Sequence, residues 1–302
     1  MFKRNTASKL KIRQGKFSSV IVLIALSIIW GSSFILIKKG LESFSPGQVG
    51  TIRIVFAFIV LLPFAIKHIK TTFKYHWKKL FFLGLISNLI PAVLFAKAET
   101  ELTSSLTGIL NSLTPIFTLI AGALAFKIQI KSKQTLGLMI GLAGSIGLTF
   151  INNQGGIGSF NFYVLFVIAA TILYGISANM VKAYFAEINS AVLTSTALLG
   201  VGPLALAYLL STDFIYRLSE NSATWYSLGY LFLLGAVGTA LALVFFNKLI
   251  QQTSAVFAST VTYLIPIIAV VWGIVDGEQI YAFHLLGMAV IIVGVYIVNK
   301  AK

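Results

Sequence analysis

Long runs of hydrophobic residues, separated by short polar segments, dominate the chain. A bilayer core of about 30 Å requires about 20 apolar residues in each helical crossing. The sequence therefore predicts an all-α integral membrane protein with ten transmembrane helices, which we number spans 1 to 10. These runs cover residues 19–38, 46–66, 79–97, 103–126, 135–151, 162–182, 190–210, 225–247, 254–275 and 281–299.

The two halves of the chain resemble each other. Residues of the first half recur in the same order at offsets of 144, 151 and then 150 residues, which indicates a true repeat. Each half holds five spans, an odd number, so the second copy must enter the membrane from the opposite side. The pattern predicts a basic cytoplasmic tail at 1–18 and two inverted five-helix repeats at 19–151 and 162–299, an arrangement common among secondary transporters. The matched pairs include Trp30 with Tyr174, Lys38 with Lys182, Lys97 with Lys248, and Pro115 with Pro266.

Composition agrees with a membrane protein and excludes several other classes. Hydrophobic residues make up 58 % of the 302 residues and charged residues only 10 %, whereas soluble domains carry about 25 % charged residues. The net charge of +15 lies in short segments between the apolar runs, which is typical of membrane proteins and not of nucleic-acid binders. With no cysteine, three histidines and no phosphate-binding or metalloprotease motif, the sequence predicts no enzyme, no metal site and no cofactor.

The distribution of basic residues predicts the orientation of the chain. If the N-terminus is inside, the cytoplasmic segments hold 18 Lys and Arg residues and the outer segments hold four. Lys and Arg accumulate on the cytoplasmic side of membrane proteins. The first apolar run has no evident cleavage site for a signal peptidase, so we expect it to remain as span 1. These observations predict a bacterial-type inner membrane protein with both termini in the cytoplasm.

Three motifs follow one another along the chain. They are Trp30-Gly31-Ser32-Ser33-Phe34, the Pro46…Arg53 stretch that opens span 2, and Thr253-Ser254-Ala255…Pro266…Gly277-Glu278…Gly287…Gly294. The order, spacing and duplication of these motifs resemble those of the EamA family of the drug/metabolite transporter superfamily. The resemblance covers two units of about 140 residues each. The resemblance implies a ten-helix transporter, often an exporter of amino acids or other small metabolites. The Gly-Glu pair is found only in the second half, since the first half has Phe126-Lys127 there.

Polar and aromatic side chains at mid-span depth are candidates for a substrate site. Small-molecule sites combine apolar walls with a few placed polar groups. The alternative is that Asn and Thr tie helices together and that the aromatic side chains only fill the core. The candidates are Trp30, Asn88, Asn111, Tyr174, Asn179, Thr239, Thr262 and Tyr263.

Arg53 is the one cation well inside an apolar run, seven residues past Pro46 and so about 10 Å along the helix. Its guanidinium could anchor a substrate carboxylate or phosphate, or it could be a strut that bonds backbone carbonyls. Lys97 and Lys248, at the ends of spans 3 and 8, could each gate one entrance. The alternative for both is that the side chain reaches to the membrane surface.

Prolines and glycines mark positions where the helices depart from simple spans. Pro115 and Pro266 interrupt spans 4 and 9, which predicts helix kinks, because proline removes a backbone hydrogen bond. The small residues of span 5, Gly137, Gly141 and Gly144, predict close helix packing, with a homodimer face as the alternative.

No Asp or Glu lies near the middle of any predicted span. Facilitated transport is therefore favoured over tight proton coupling through a buried carboxylate, and coupling through a rim residue is the alternative. We expect a secondary transporter in the lipid bilayer that moves a small-molecule substrate, by efflux of amino acids or related compounds. Import of an anionic or nucleotide-like metabolite is the first alternative. A membrane-embedded enzyme or scaffold is the alternative from another class.

Overall fold

The computed structural model describes residues 20–127, 129, 131–148, 150, 160–220 and 222–300. Within these residues the chain forms helices and no strands, as the hydropathy predicts. The predicted basic tail at 1–18 lies outside the described residues. The main helices are α1 (Val20–Leu41), α2 (Pro46–Lys67), α3 (Ile69–Ala98), α4 (Ser104–Phe126), α5 (Ser132–Leu148), α6 (Val164–Tyr184), α7 (Ser190–Leu210), α8 (Ala223–Gln252), α9 (Ala255–Val275) and α10 (Ala282–Lys300), with a short helix at Phe214–Glu220.

Eight helices of the described chain, α1 to α4 and α6 to α9, are long and apolar enough to cross a membrane. The helix α5 has 17 residues, and the apolar part of α10 covers only Ala282–Val298. The all-helical membrane fold is therefore confirmed, whereas the number of ten spans stays a prediction. The sequence interpretation of 67–78 as a polar loop is wrong, because a π-helical turn at Ile69–Phe73 begins α3 there.

Irregular helical segments fall at matched positions in the two halves. A π-helical segment occupies Leu85–Leu89 in α3, and a second one, starting 151 residues later, occupies Ala236–Leu241 in α8. The helix α4 is interrupted after Asn111, and α9 passes through a 3₁₀ segment at Thr260–Tyr263. Pro115 and Pro266 are each the second residue of the segment that follows. Proline suits that position because no intrahelical N–H bond is needed there, so both prolines restart helices after a break.

Helix packing also follows the repeat. The helix α3 packs on α6, and its counterpart α8 packs on α1, while α2 packs on α7. Glycines permit two of the closest approaches. A Cβ at Gly84 would lie 2.5 Å from the Ala197 carbonyl oxygen, and a Cβ at Gly235, the matched residue, would lie 2.7 Å from the Arg53 carbonyl oxygen. The two halves therefore interlock around a common centre.

The small-residue face of α5 packs within the chain, against α10. A Cβ at Gly294 would lie 2.4 Å from the Gly141 nitrogen and 2.7 Å from the Gly137 carbonyl oxygen. Gly144 meets Val290 and Ile291 in the same way. The predicted close helix packing is thus intramolecular, and this face is already covered by α10.

Candidate substrate cavity

A cavity of about 90 Å³ lies at the centre of the molecule, between α1 to α4 and α6 to α9. It is several times larger than the roughly 10–15 Å³ that one water molecule needs. Its walls are apolar and aromatic, with neutral hydroxyl and amide groups among them, the usual composition of a small-molecule site. Six of the residues named from the sequence line it: Trp30, Arg53, Asn88, Asn111, Tyr174 and Thr262.

The two halves contribute matching faces to the cavity. Four residues of α1 line it at the i, i+3, i+4 and i+7 spacing of a single helix face. The four residues found 144 positions later on α6 line it as well. The face on α1 consists of Trp30, Ser33, Phe34 and Ile37, and the face on α6 consists of Tyr174, Ser177, Ala178 and Val181.

Two aromatic pairs repeat this symmetry. The ring of Tyr174 stacks on Phe95, with 5.8 Å between centroids and 23° between planes. Trp30 meets Phe246 edge to face, with 4.8 Å between centroids. Phe95 and Phe246 are also matched residues, 151 positions apart. Trp30 is fixed further by a hydrogen bond from its indole Nε1 to the carbonyl oxygen of Gly238, 2.9 Å away in the π-helical segment of α8.

Arg53 supplies the positive charge of the cavity. Its Nε donates a hydrogen bond of 2.6 Å to the Thr239 hydroxyl, and the guanidinium also interacts with the Tyr174 hydroxyl. Among the described side chains, no carboxylate lies within ion-pair distance of Arg53. Thr239 itself does not line the cavity, so its role is to orient Arg53. A cation without a carboxylate partner is available to an anionic group in the cavity.

Asn88 and Asn111 present amide groups to the same space. The Nδ2 of Asn88 donates to the Ser87 hydroxyl at 2.7 Å, whereas its Oδ1 is buried without a hydrogen-bond partner. Asn111 lies at the break in α4, and the matched residue Thr262 lies at the break in α9. The cavity can therefore offer an unpaired acceptor opposite a cationic donor.

Four other predicted residues lie away from the cavity. Asn179 donates to the carbonyl oxygens of Thr118 and Gly175 and so joins α6 to α4. The Tyr263 hydroxyl donates to the Val295 carbonyl oxygen on α10. The ammonium of Lys97 lies 5.6 Å from the centre of the Tyr163 ring. Lys248 lies at a surface depression beside residues 186–191.

A cluster of ion pairs closes one end of the bundle; we call Lys38, Lys39, Asp276 and Glu278 the Lys38 cluster. Lys38 Nζ lies 2.7 Å from Asp276 Oδ2 and 3.1 Å from Glu278 Oε1, and Lys39 Nζ lies 2.9 Å from Asp276 Oδ1. The cluster joins α1 to the turn after α9, where Gly277 has a φ of +81°. The Gly277-Glu278 motif of the sequence marks the position of this turn.

Glu278 connects the Lys38 cluster to the start of α4. It accepts hydrogen bonds from the backbone N–H of Ser104 at 3.0 Å and of Ser105 at 3.1 Å, and from the Ser105 hydroxyl at 2.6 Å. Burial alone would raise the pKa of this carboxyl, but the bonds from Ser105 and Lys38 outweigh burial and hold the pKa below its ordinary value. Glu278 therefore holds α4 against the end of α1 as a carboxylate.

The opposite end of the cavity has no comparable cluster among the residues that the structure describes. Lys182, the counterpart of Lys38, donates to the Gln251 carbonyl oxygen at 2.8 Å. The Gln251 side chain in turn donates to the carbonyl oxygens of Phe185 and Ile188. Among the described residues, no ion pair includes Lys182. The two ends are thus closed by different chemistry around a nearly symmetric cavity.

The described residues contain no group of three His, Asp or Glu side chains that could hold a metal ion. Chemistry at the cavity consequently rests on one guanidinium, neutral hydroxyl and amide groups, and aromatic rings. This arrangement can bind and orient a small amphipathic molecule.

Comparison with known proteins gives a consistent picture. The model of the EamA-like transporter family matches the chain twice, at residues 17–150 and 161–300. The uncharacterized inner membrane transporter YedA of Escherichia coli K12 is 27 % identical over 285 residues, which cover 93 % of this chain and 90 % of that protein. An uncharacterized transporter of Archaeoglobus fulgidus is 25 % identical, with 93 % of this chain and 99 % of that protein covered. Protein PagO of Salmonella typhimurium is 24 % identical, with coverage of 95 % and 94 %.

The fold is shared with solved structures. The crystal structure of one such protein superposes on this chain with a TM-score of 0.64 at 14 % sequence identity. The match covers 94 % of this chain and 96 % of that protein. At this identity the likeness concerns the fold alone.

Proposed function

The chain belongs to the EamA-like transporter family, and from this premise we propose that it exports small zwitterionic metabolites, amino acids or their derivatives, by alternating access. Its membrane-spanning helices, together with a relative named as an inner membrane transporter, support a multi-pass transporter of the inner membrane. The bias of basic residues supports an orientation with the Lys38 cluster outside and both termini in the cytoplasm.

The observation that carries the proposal is the cavity face that α1 and α6 build from matched residues. Two similar halves of opposite orientation can adopt two equivalent packings. Exchange between these packings opens a central site first to one side of the membrane and then to the other. A scaffold has no need of matched polar and aromatic side chains around a central cavity, so their presence favours transport.

The chemistry of the cavity favours a zwitterion. Arg53 offers a planar, charged donor that suits a carboxylate, and Thr239 holds it in place. The unpaired Oδ1 of Asn88 offers an acceptor for an ammonium group. Trp30 and Tyr174 provide apolar surface for the rest of a small substrate. A single cation matches one carboxylate better than the several charges of a nucleotide phosphate.

The test is counterflow in proteoliposomes that carry the full chain, loaded with unlabelled amino acids and given labelled ones outside. We expect saturable exchange in the wild type. Because Lys keeps the charge but loses the paired donors of the guanidinium, Arg53→Lys should raise the KM for amino acids about tenfold, which corresponds to about 1.4 kcal/mol of lost binding.

Arg217→Lys is the matched control. Arg217 pairs with Asp213 at i, i+4 and donates to the Ser43 carbonyl oxygen, and it does not line the cavity, so its replacement should leave KM unchanged. Exchange of nucleotides but not of amino acids would replace the zwitterion with the anionic alternative. Exchange of amino acids with equal KM in the wild type and Arg53→Lys would refute the role of Arg53.

A further inference from the structure

Glu99, which follows the last residue of α3, is a carboxyl group that the proposed transport site does not use. Its side chain is buried, at 8 % exposure. One oxygen, Oε2, accepts a hydrogen bond of 3.2 Å from the Ser104 hydroxyl. The other, Oε1, is buried with no hydrogen-bond partner. An ionised carboxylate has about four lone-pair sites to satisfy, so a single hydrogen bond fits the charged form poorly.

Ser104 links Glu99 to the Lys38 cluster. Its hydroxyl donates to Glu99 while its backbone N–H donates to Glu278, so two carboxyl groups bind one residue at the start of α4. Glu278 has the Lys38 ammonium as a partner. Glu99 has no cation within ion-pair distance among the described residues. Two neighbouring carboxyl groups, of which only one is paired with a cation, favour ionisation of only that one.

The charges around Glu99 come from α1, α2 and the turn after α9. Burial raises the pKa of the Glu99 carboxyl well above its ordinary value, and the nearby charge of Glu278 acts in the same direction. The Ser104 hydrogen bond and the positive charges of Lys38 and Arg53 act in the opposite direction without cancelling the effect. Both cations are already engaged, Lys38 with Asp276 and Glu278 and Arg53 with Thr239.

We propose that Glu99 is a proton-binding site that controls opening of the cavity at the Lys38 cluster: closure there takes up one proton on the buried carboxyl, and opening exposes Glu99 and returns the proton to the water on that side. The proposal uses the alternating access of the proposed function but does not depend on the identity of the substrate. It also adds a buried carboxyl group just beyond the end of predicted span 3, whereas the sequence analysis considered only the middle of each span.

The sign of the pH dependence follows from linkage. The closed form binds the proton more tightly than the open form, so the contribution of Glu99 to closure is complete below the pKa of an exposed glutamate, about 4.3. It is lost progressively as the pH rises through the higher pKa of the buried group. Between these two values one bound proton changes the open-to-closed ratio by up to about tenfold for each pH unit.

The test measures opening directly, without a substrate. The chain contains no cysteine, so Thr100→Cys and Gln279→Cys introduce the only two thiols, both at exposed positions on the two sides of the cluster. Spin labels on this pair in lipid nanodiscs report the distance between the loop after α3 and the turn after α9. We expect the distance distribution of the full-length parent to lengthen as the pH is raised above the ordinary pKa of a glutamate, about 4.3, with a one-proton midpoint above that value.

Glu99→Gln imitates the protonated carboxyl, so its distribution should remain short as the pH is raised over the same range. Glu101→Gln is the matched control, because Glu101 is exposed in the same loop, and it should titrate as the parent does. Glu99→Asp should keep a titration but move its midpoint, which separates loss of the proton site from a folding defect. A parent that does not respond to pH, or a Glu99→Gln variant that still titrates, would overturn the proposal.

Infrared difference spectra of the same protein give a second readout. The protonated carboxyl C=O band should disappear with the same midpoint and be absent in Glu99→Gln. If counterflow detects no amino-acid exchange while this titration is present, the proposed substrate fails and the proton site stands. If exchange is present and the titration is absent, the reverse holds.

Discussion

Glu278→Gln tests whether the Lys38 cluster holds the cavity closed. The Glu278 side chain is only 3 % exposed, and each of its oxygens accepts two hydrogen bonds, Oε1 from Ser104 N–H and Lys38, and Oε2 from the backbone and hydroxyl of Ser105. Glutamine replaces one oxygen with an NH₂ group. The least costly placement puts the NH₂ at the position of Oε2, where it can donate to the Ser105 hydroxyl but leaves the Ser105 N–H without an acceptor.

The magnitude follows from these contacts. A buried N–H without a partner costs roughly 1–3 kcal/mol. The Lys38 ion pair adds little, because Lys38 is 36 % exposed and an exposed pair contributes at most about 1 kcal/mol. The closed form should therefore lose about 2 kcal/mol, which shifts the open-to-closed ratio roughly 30-fold. Nothing in the open form is expected to compensate, because water would satisfy these groups there.

The spin-labelled pair at positions 100 and 279 measures this shift as a larger population at long distance. Glu42→Gln is the control, because Glu42 belongs to the same surface and pairs with Lys39 but is 57 % exposed. It should change the ratio less than about fivefold, the limit for an exposed ion pair. Equal effects of Glu278→Gln and Glu42→Gln, or no effect of either, would refute the reasoning, because burial would then not determine the contribution of each carboxylate.

Two further predictions follow from the same structure. Closure should be greatest at intermediate pH, because Glu99 ionises as the pH rises and Glu278 becomes protonated as the pH falls. Glu278, whose pKa is lowered, stabilises closure above its ordinary pKa and loses that contribution as the pH falls through the lowered value. A distance that changes in one direction over the whole pH range would contradict this. Gly294→Ala should lower the unfolding free energy by about 1–3 kcal/mol, since its Cβ would meet the backbone of Gly141. Gly147→Ala, with open space around it, should not, as thermal unfolding in detergent would show.

The helices could be predicted from hydropathy because each crossing needs a long apolar run. The predicted span at 190–210 coincides with α7. The start of α3 could not be predicted in this way, because the segment from Ile69 is helical although it contains several lysines. Hydropathy measures the affinity for lipid, and a helix that continues beyond the bilayer has no such signal.

Some of the residues that line the cavity could be predicted from the sequence. The repeat singled out Trp30 and Tyr174, which do line it. Asn179 was chosen for its depth alone, but five residues along a helix rotate the side chain by about 140° from Tyr174. Ser177, at about 60°, faces the cavity instead. Helical periodicity applied to the matched residues would have made this distinction, so the signal was present in the sequence.

The position of Glu99 carried no comparable signal. A carboxylate two residues beyond a predicted span end is normally solvated, and only the fold of the loop onto Ser104 buries it. Burial of a group at a helix end depends on which other elements cover that end. Here Ser104, at the start of α4, bonds both Glu99 and Glu278, and Glu278 lies 174 residues further along the chain.

The two ends of the cavity differ because the two halves of the chain have diverged there, although the cavity itself is nearly symmetric. The residue of the first half that matches Glu278 is Lys127, so no carboxylate is available there to pair with Lys182, which bonds a neutral carbonyl instead. An alternating-access protein closes its two ends in turn, and the relative stability of the two closures determines which state is populated. Charged hydrogen bonds to a buried carboxylate are stronger than the neutral contacts of Gln251. The Lys38 end should therefore be the end that rests closed, and the carboxyl groups of Glu278 and Glu99 are the parts of the chain through which pH can change that preference.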